Sequence, residues 1–219
     1  MKSYLIKKDQ NGNKIIQKPI NNESVSWENV FPFYNSVTSI GERGLYHAFY
    51  NCTGLTGSIS LPSLTSIGIG GLGYAFCDCT GLTSVSFPSL TSISNSGLES
   101  AFYGCTGLTS VSFPNLTSIG DYGLHDTFSL CAGLTGSISF PSLISIGDCG
   151  LQGAFQQCIG LTGSISFPSL TDIGESGLYD TFYGCTRLKE VHFKSSLSGN
   201  SQCTASNMGC TNATIYFDL

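Results

Sequence analysis

The side chains with the widest chemical range in this sequence are ten cysteines and three histidines. Thiolates bind metals, attack carbonyls or pair as disulfides, and imidazoles bind metals or move protons near neutral pH. Six of the cysteines (Cys52, Cys79, Cys105, Cys131, Cys158 and Cys185) follow one another at steps of 27, 26, 26, 27 and 27 residues. A zinc site needs two close pairs, or a pair with histidines nearby, and Cys77-x-Cys79 stands without either. His47 and His125 lie 78 residues apart, and neither they nor His192 belong to an H-E-x-x-H motif. The stretch Gly68 to Gly73 matches G-x-G-x-x-G, but the corresponding residues Gly120 to His125 read G-D-Y-G-L-H. The match is therefore a variant of a structural turn and not a dinucleotide loop. Acid–base catalysis needs titratable groups that converge in a pocket, whereas an evenly repeating chain lays them out in stripes. The expectation is a protein that is not an enzyme, with no cofactor and no metal. The even cysteines read as a buried ladder of small apolar side chains, since parallel stacking aims their Cβ atoms the same way and misaligns the sulfurs. Cys203 and Cys210 are left either to staple the C-terminal end in an oxidising compartment or to remain thiols.

A second chemistry is recognition. Between the repeated landmarks Ile-Gly, Gly-Leu, Ala-Phe and Cys, the residue types change freely from repeat to repeat. Those slots hold Tyr46, His47 and Tyr50 first, then Tyr74, Tyr103, Tyr122, His125, Tyr179 and Tyr183, mixed with residues such as Arg43, Asp78, Glu99 and Asp126. Tyrosine gives rigid, amphipathic contact area at low entropic cost, so a stripe of this composition suits a protein or glycan ligand. The competing reading is a row of solvated turns that tolerate any residue. The strand residues Thr83, Ser86, Thr109, Ser112, Ser139 and Ser166 form flat hydroxyl rows, most simply a solvated sheet face.

The elements that must position these residues follow from the repeat itself. The phrase G-L-x-x-[AT]-F-x-x-C occurs six times, with Phe49, Phe76, Phe102, Phe128, Phe155 and Phe182 keeping the cysteine steps. Self-similarity at such a period marks a solenoid. From Leu82 the unit reads L-T-S-V-S-F-P, a short strand with Leu82, Val85 and Phe87 on one side, ended by Pro88, which lacks an N–H for the ladder. Leu90 and Ile93 form a second extended piece, a glycine-rich turn follows, and A-F-x-x-C is expected as one helical or 3₁₀ turn with Phe and Cys facing inward. Gly57, Gly136 and Gly163 are one-residue insertions that account for the longer steps, read as bulges or corner adjustments that keep the later register. One unit cannot bury its own Leu, Ile and Phe; stacked at about 4.8 Å per rung, neighbours bury one another.

The predicted fold is a right-handed, leucine-rich-repeat-like stack of short parallel strands joined by turns or 3₁₀ segments. Residues 37–197 form the solenoid of six repeats, and 198–219 form a C-terminal cap closed by the strand 213–217. Residues 1–36 form an N-terminal hairpin, cap or attachment segment, with strands 4–8 and 14–18 about Asn11-Gly12.

The unit L-x-x-V-x-F-P-x-L-x-x-I-G…A-F-x-x-C-x-x-L, over about residues 37–197, resembles the BspA-like class of leucine-rich repeats of bacterial surface proteins. An extra G-L-x-x before A-F lengthens it beyond that class's usual unit. The resemblance implies adhesion or protein binding at a bacterial surface, hence an extracellular or cell-surface location. Similar repeats in phage tail and fibre proteins imply an alternative: a structural or receptor-binding subunit, in which the N-terminal segment serves self-assembly or attachment. Composition adds exclusions. Charged residues are 11% of the chain, against about a quarter in typical proteins, and the excess is acidic, with net charge −5. Nucleic-acid binding, which needs clustered Lys and Arg, is not expected. No run of about 18 apolar residues occurs, so no membrane insertion is expected, and the first residues lack the apolar core of a secretory signal.

Overall fold

The computed structural model describes residues 6–8, 14–16, 24–32 and 34–218. Each repeat contributes three layers to one stack. The first is the L-x-x-V-x-F strand. Val25–Ser26, Leu55–Ser60, Leu82–Ser86 and Ser110–Ser112 pair in parallel, and Ile138–Ser139, Ser164–Phe167, Glu190–Phe193 and Thr214–Phe217 form a second parallel sheet. The second layer is a ladder of six two-residue strands from Ser39–Ile40 to Asp172–Ile173, each isoleucine directly over the next. The expected second extended piece is thus present in every repeat.

The third layer differs from expectation. The G-L-x-x-A-F-x-x-C segment is neither a helical nor a 3₁₀ turn. Its N–H groups alternate: Gly44, Tyr46, Ala48, Tyr50 and Cys52 donate back three residues within the rung. Arg43, Leu45, His47, Phe49 and Asn51 donate across to Ile69, Gly71, Gly73, Ala75 and Cys77 of the next rung at 2.7–3.0 Å. Every fourth residue adopts left-handed backbone, as at Arg43 (φ 49°), His47 (φ 56°) and Asn51 (φ 56°). A helix cannot propagate through such residues, and each would be disfavoured on its own. The ladder overrides that cost, because overlapping turns satisfy every second amide locally and every other one between rungs.

The core is continuous. Phe49, Phe76, Phe102, Phe128, Phe155 and Phe182 form one column with ring centroids 5.1–5.8 Å apart and nearly parallel planes. Phe113, Phe140, Phe167 and Phe193 form a second, at 5.3–6.1 Å. Trp27, fully buried, covers the first column edge-on at 5.6 Å from Phe49 and 5.4 Å from Phe76. Thr214–Phe217 pairs beyond Glu190–Phe193, as the closing strand was expected to do.

The cysteine ladder is buried, but its thiols are more than small hydrophobes. Each after Cys52 donates to the phenylalanine carbonyl of the preceding rung, Cys79 to Phe49 and Cys131 to Phe102 at 3.1 Å, Cys185 to Phe155 at 3.0 Å. Where Ala becomes Thr, the hydroxyls of buried Thr127 and Thr181 donate in the same way to Leu98 (2.7 Å) and Leu151 (3.0 Å). All ten cysteines are free, so Cys203 and Cys210 form no staple.

The inserted glycines behave in two ways. Gly57 faces Leu82 and Ser58 faces Ser84, so the register shifts there by one residue with Thr83 of the facing strand, not the inserted glycine, left unpaired, after which Ile59 faces Val85. At Gly136 (φ 74°) the strand ladder breaks: Ser110–Ser112 and Ile138–Ser139 belong to different sheets. The phenylalanine column passes this break undisturbed. The hydroxyl rows are bonded along the stack, Thr109 to the Thr83 carbonyl at 2.9 Å and Ser166 to the Ser139 hydroxyl at 2.9 Å. Near the N-terminus, Ile6–Lys8 pairs antiparallel with Lys14–Ile16, as a hairpin requires; the Asn11-Gly12 turn lies outside the described residues.

Candidate functional site

The turn ribbon decides where the variable side chains stand. Its inter-rung amide bonds place residues at equal positions directly over one another, so the slots become columns. One column runs Tyr46, Gly73, Glu99, His125, Gln152, Tyr179. The next runs His47, Tyr74, Ser100, Asp126, Gly153, Asp180. A third runs Tyr50, Cys77, Tyr103, Ser129, Gln156, Tyr183.

Over the first three rungs these columns converge. His47 stacks flat on Tyr74, with centroids 4.9 Å apart and planes 9° apart. Tyr46 leans over Gly73, where any Cβ would lie 2.9 Å from its ring, and reaches Tyr74 edge-on at 6.0 Å. Tyr50 lies 5.4 Å from His47. The Tyr74 hydroxyl donates to Glu99 at 3.2 Å, and burial, with the Glu99 charge assisting, pushes this phenol above its usual range. The Arg43 guanidinium lies 5.7 Å over the Tyr46 ring. Between these rings opens a groove of about 360 Å³, with walls of Tyr50, Tyr74, His47 and Tyr103 and a floor that includes Cys77 and Ser100. Asp78 lines it as well. Burial, then Asp78, pushes the Cys77 thiol up to about 12, so it is a neutral wall and not a nucleophile.

The other predicted residues stand apart. Tyr122 and His125 meet edge-on at 5.6 Å on the fourth rung. There His125 Nδ1 is buried without a hydrogen bond, 3.6 Å from Asp126, whose carboxyl is raised chiefly by burial. Tyr179 and Tyr183 are exposed (46% and 50%) on the sixth rung. A second groove of about 350 Å³ beside Tyr183 is lined by Gln157, Ile159, Thr186 and Asn212 among others. Of nine sequence-predicted residues, five converge, two pair, and two lie at the far end: three patches, not one stripe. Sequence reasoning passed over Cys77 and Ser100 as site residues. Aligning the repeats column by column reveals them, as small residues between large rings.

Among the described residues no group of three or more His, Cys, Asp or Glu side chains is arranged to hold a metal. His192 lies between Asp218 (3.0 Å at Nδ1) and Glu190 (3.2 Å at Nε2), so both ring nitrogens are already engaged. No helix among the described residues is long and apolar enough to cross a membrane.

Comparison with known proteins agrees with this architecture. The sequence matches, in six copies, the family model described as BspA type leucine rich repeat region, over residues 16–148, 46–180 and 151–217. A leucine-rich repeat protein of T. pallidum has a similar structure, with 27% identity and a TM-score of 0.52, covering 86% of this chain and 78% of that one. A leucine-rich repeat protein from Bacteroides ovatus matches at 25% identity and a TM-score of 0.48, covering 84% of this chain and 46% of that one. No curated protein matches the chain.

Proposed function

This chain belongs to the BspA-type leucine-rich repeat family, and from that premise we propose that it is a non-enzymatic binding or adhesion module at a cell surface. Its turn face presents aromatic patches to a protein or glycan. The observation that carries this reading is the convergence of His47, Tyr50, Tyr74 and Tyr103 around one groove, with Tyr46 packed edge-on against Tyr74 beside it. These residues occupy slots that vary among repeats whose scaffold positions hardly change. A face needed only for solubility has no reason to gather five rings, since exposed apolar surface of this kind marks interaction sites. In this reading residues 37–197 carry recognition, 198–219 close one end of the stack, and 1–36 cap the other end or attach it.

The test is a protein and glycan array probed with the native chain and with a Tyr46→Ala, Tyr103→Ala, Tyr183→Ala triple variant. The reading expects specific signals that the variant loses. Binding that survives all three substitutions removes the aromatic patches from consideration.

A further inference from the structure

The third column holds a vacancy of defined size. Tyr50 and Tyr103 stand two rungs apart with Cys77 between them. Rungs repeat at about 4.8 Å, so equivalent positions two rungs apart are separated by about 9.6 Å. In the phenylalanine column neighbouring rings fill that interval at 5.1–5.8 Å centroid spacing. At Cys77 the small thiol leaves it open, and the opening is the groove of about 360 Å³.

The chemistry of the walls selects the guest. A group midway between the two tyrosine positions would lie about 4.8 Å from each, inside the roughly 6 Å range over which an aromatic face attracts a cation. Asp78 adds a carboxylate to the lining, and among the described residues no Lys or Arg lines the groove to oppose a positive guest. The chain from residue 31 onward carries eleven acidic and four basic residues, so the approach is electrostatically favourable as well. The same face already holds such a contact internally, where the Arg43 guanidinium lies over Tyr46. Guanidinium fits better than ammonium. It is planar, weakly hydrated, stacks on rings and pairs with a carboxylate through two parallel N–H bonds.

We infer that the slot between Tyr50 and Tyr103 receives an arginine side chain from a partner protein, its guanidinium stacked between the rings and paired with Asp78. This rests on the reading of the turn face as a binding surface and specifies the partner's chemistry there.

The test uses N-acetyl-arginine amide as probe, titrated into the full chain and followed by NMR of ¹³C-labelled tyrosines. N-acetyl-citrulline amide, neutral and of the same shape, and methyl glucoside are the comparison probes. The expected result is saturable shifts at Tyr50 and Tyr103 with the arginine probe. Binding should be at least about tenfold weaker with the citrulline probe, weaken with salt, and drop about tenfold in Asp78→Asn. Asn tolerates the left-handed backbone at position 78 (φ 58°), so this variant retains the fold. Equal binding of citrulline and arginine probes, an unaffected Asp78→Asn variant, or shifts from the glucoside alone would overturn the inference. If the arginine probe fails while array binding still depends on Tyr46, Tyr103 and Tyr183, the binding-face reading stands and the arginine slot falls. If the arginine probe binds as described while array signals ignore the triple variant, the slot is supported and the wider reading falls.

Discussion

Phe128→Ala is the substitution that most directly examines the stack. Phe128 is fully buried and touches three other rings: Phe102 at 5.6 Å, Phe155 at 5.4 Å and Phe113 at 6.1 Å. Truncating a buried phenylalanine costs about 3–5 kcal/mol, combining lost transfer energy with the cavity left behind. The upper half of that range applies here, because neighbouring rings are held by backbone ladders on both sides and the site cannot collapse. With a urea dependence near 3 kcal/mol per molar, suited to a chain of this size, the midpoint should fall by on the order of 1–2 M. Position matters too. In a linear stack each rung is stabilised through its neighbours, so a defect in a middle rung weakens the coupling between the two ends. The single tryptophan, Trp27, sits at the N-terminal end of the column, so its fluorescence reports that end, while circular dichroism reports the whole. The native chain should show coincident transitions by both probes, and the variant should show them separating. Tyr122→Ala, which removes a side chain from an exposed position on the same rung, should stay within about 0.5 kcal/mol. A loss below about 1 kcal/mol in Phe128→Ala would refute the claim that this column is the structural spine.

Three further outcomes follow from particular contacts. The His192 pKa is raised, chiefly by its hydrogen bond to Asp218, with burial opposing and Glu190 assisting. The stabilisation is therefore fully present below the ordinary histidine value and lost as pH rises through the raised folded value; because both carboxylate partners are exposed, it should be below about 1 kcal/mol. Denaturation midpoints measured from pH 5.5 to 8.5 should fall over that window in the native chain and lose this component in His192→Gln. Burial holds the Cys131 and Cys158 thiols well above their usual range and Cys185 up to about 12, while Cys149 alone is only half-buried. Iodoacetamide at pH 8 followed by mass spectrometry should modify Cys149 first, with the ladder reacting only on unfolding. A Cβ at Gly107 would run into the backbone carbonyl of Thr80 and lie 2.9 Å from that of Leu82, whereas nothing lies within 4 Å of one at Gly41. Gly107→Ala should cost more than about 2 kcal/mol by urea denaturation, and Gly41→Ala less than about 0.5.

Much of the molecule is legible from spacing alone. The period of 26 or 27 residues, the strand faces, the inward phenylalanines and cysteines, and the Gly57 insertion are all local patterns. Apolar residues recur wherever a rung must meet its neighbour, and a one-residue insertion shows up in the step itself. Reading A-F-x-x-C as a helical or 3₁₀ turn failed for a physical reason. An i, i+3 pairing of Phe and Cys also arises in overlapping turns, and only the amide partners on the next rung choose between them. Trp27 as the lid of the first column carries no periodic signal, because it occurs once.

The sequence by itself determined that identical rungs would stack and which side chains each rung would turn inward, because those choices need only the order of apolar, polar and glycine residues within one repeat. Tertiary structure alone decided what the rungs do to one another. Cysteine thiols reach the carbonyl of the preceding rung, the strand ladder breaks at Gly136 while the rings pass through, and nine candidate residues divide into three patches. The slot at Cys77 is of the same kind: a small residue becomes a site only when the residues one rung above and one rung below are large. That information lies in the register between distant segments, which burial of the shared core sets and no single repeat contains.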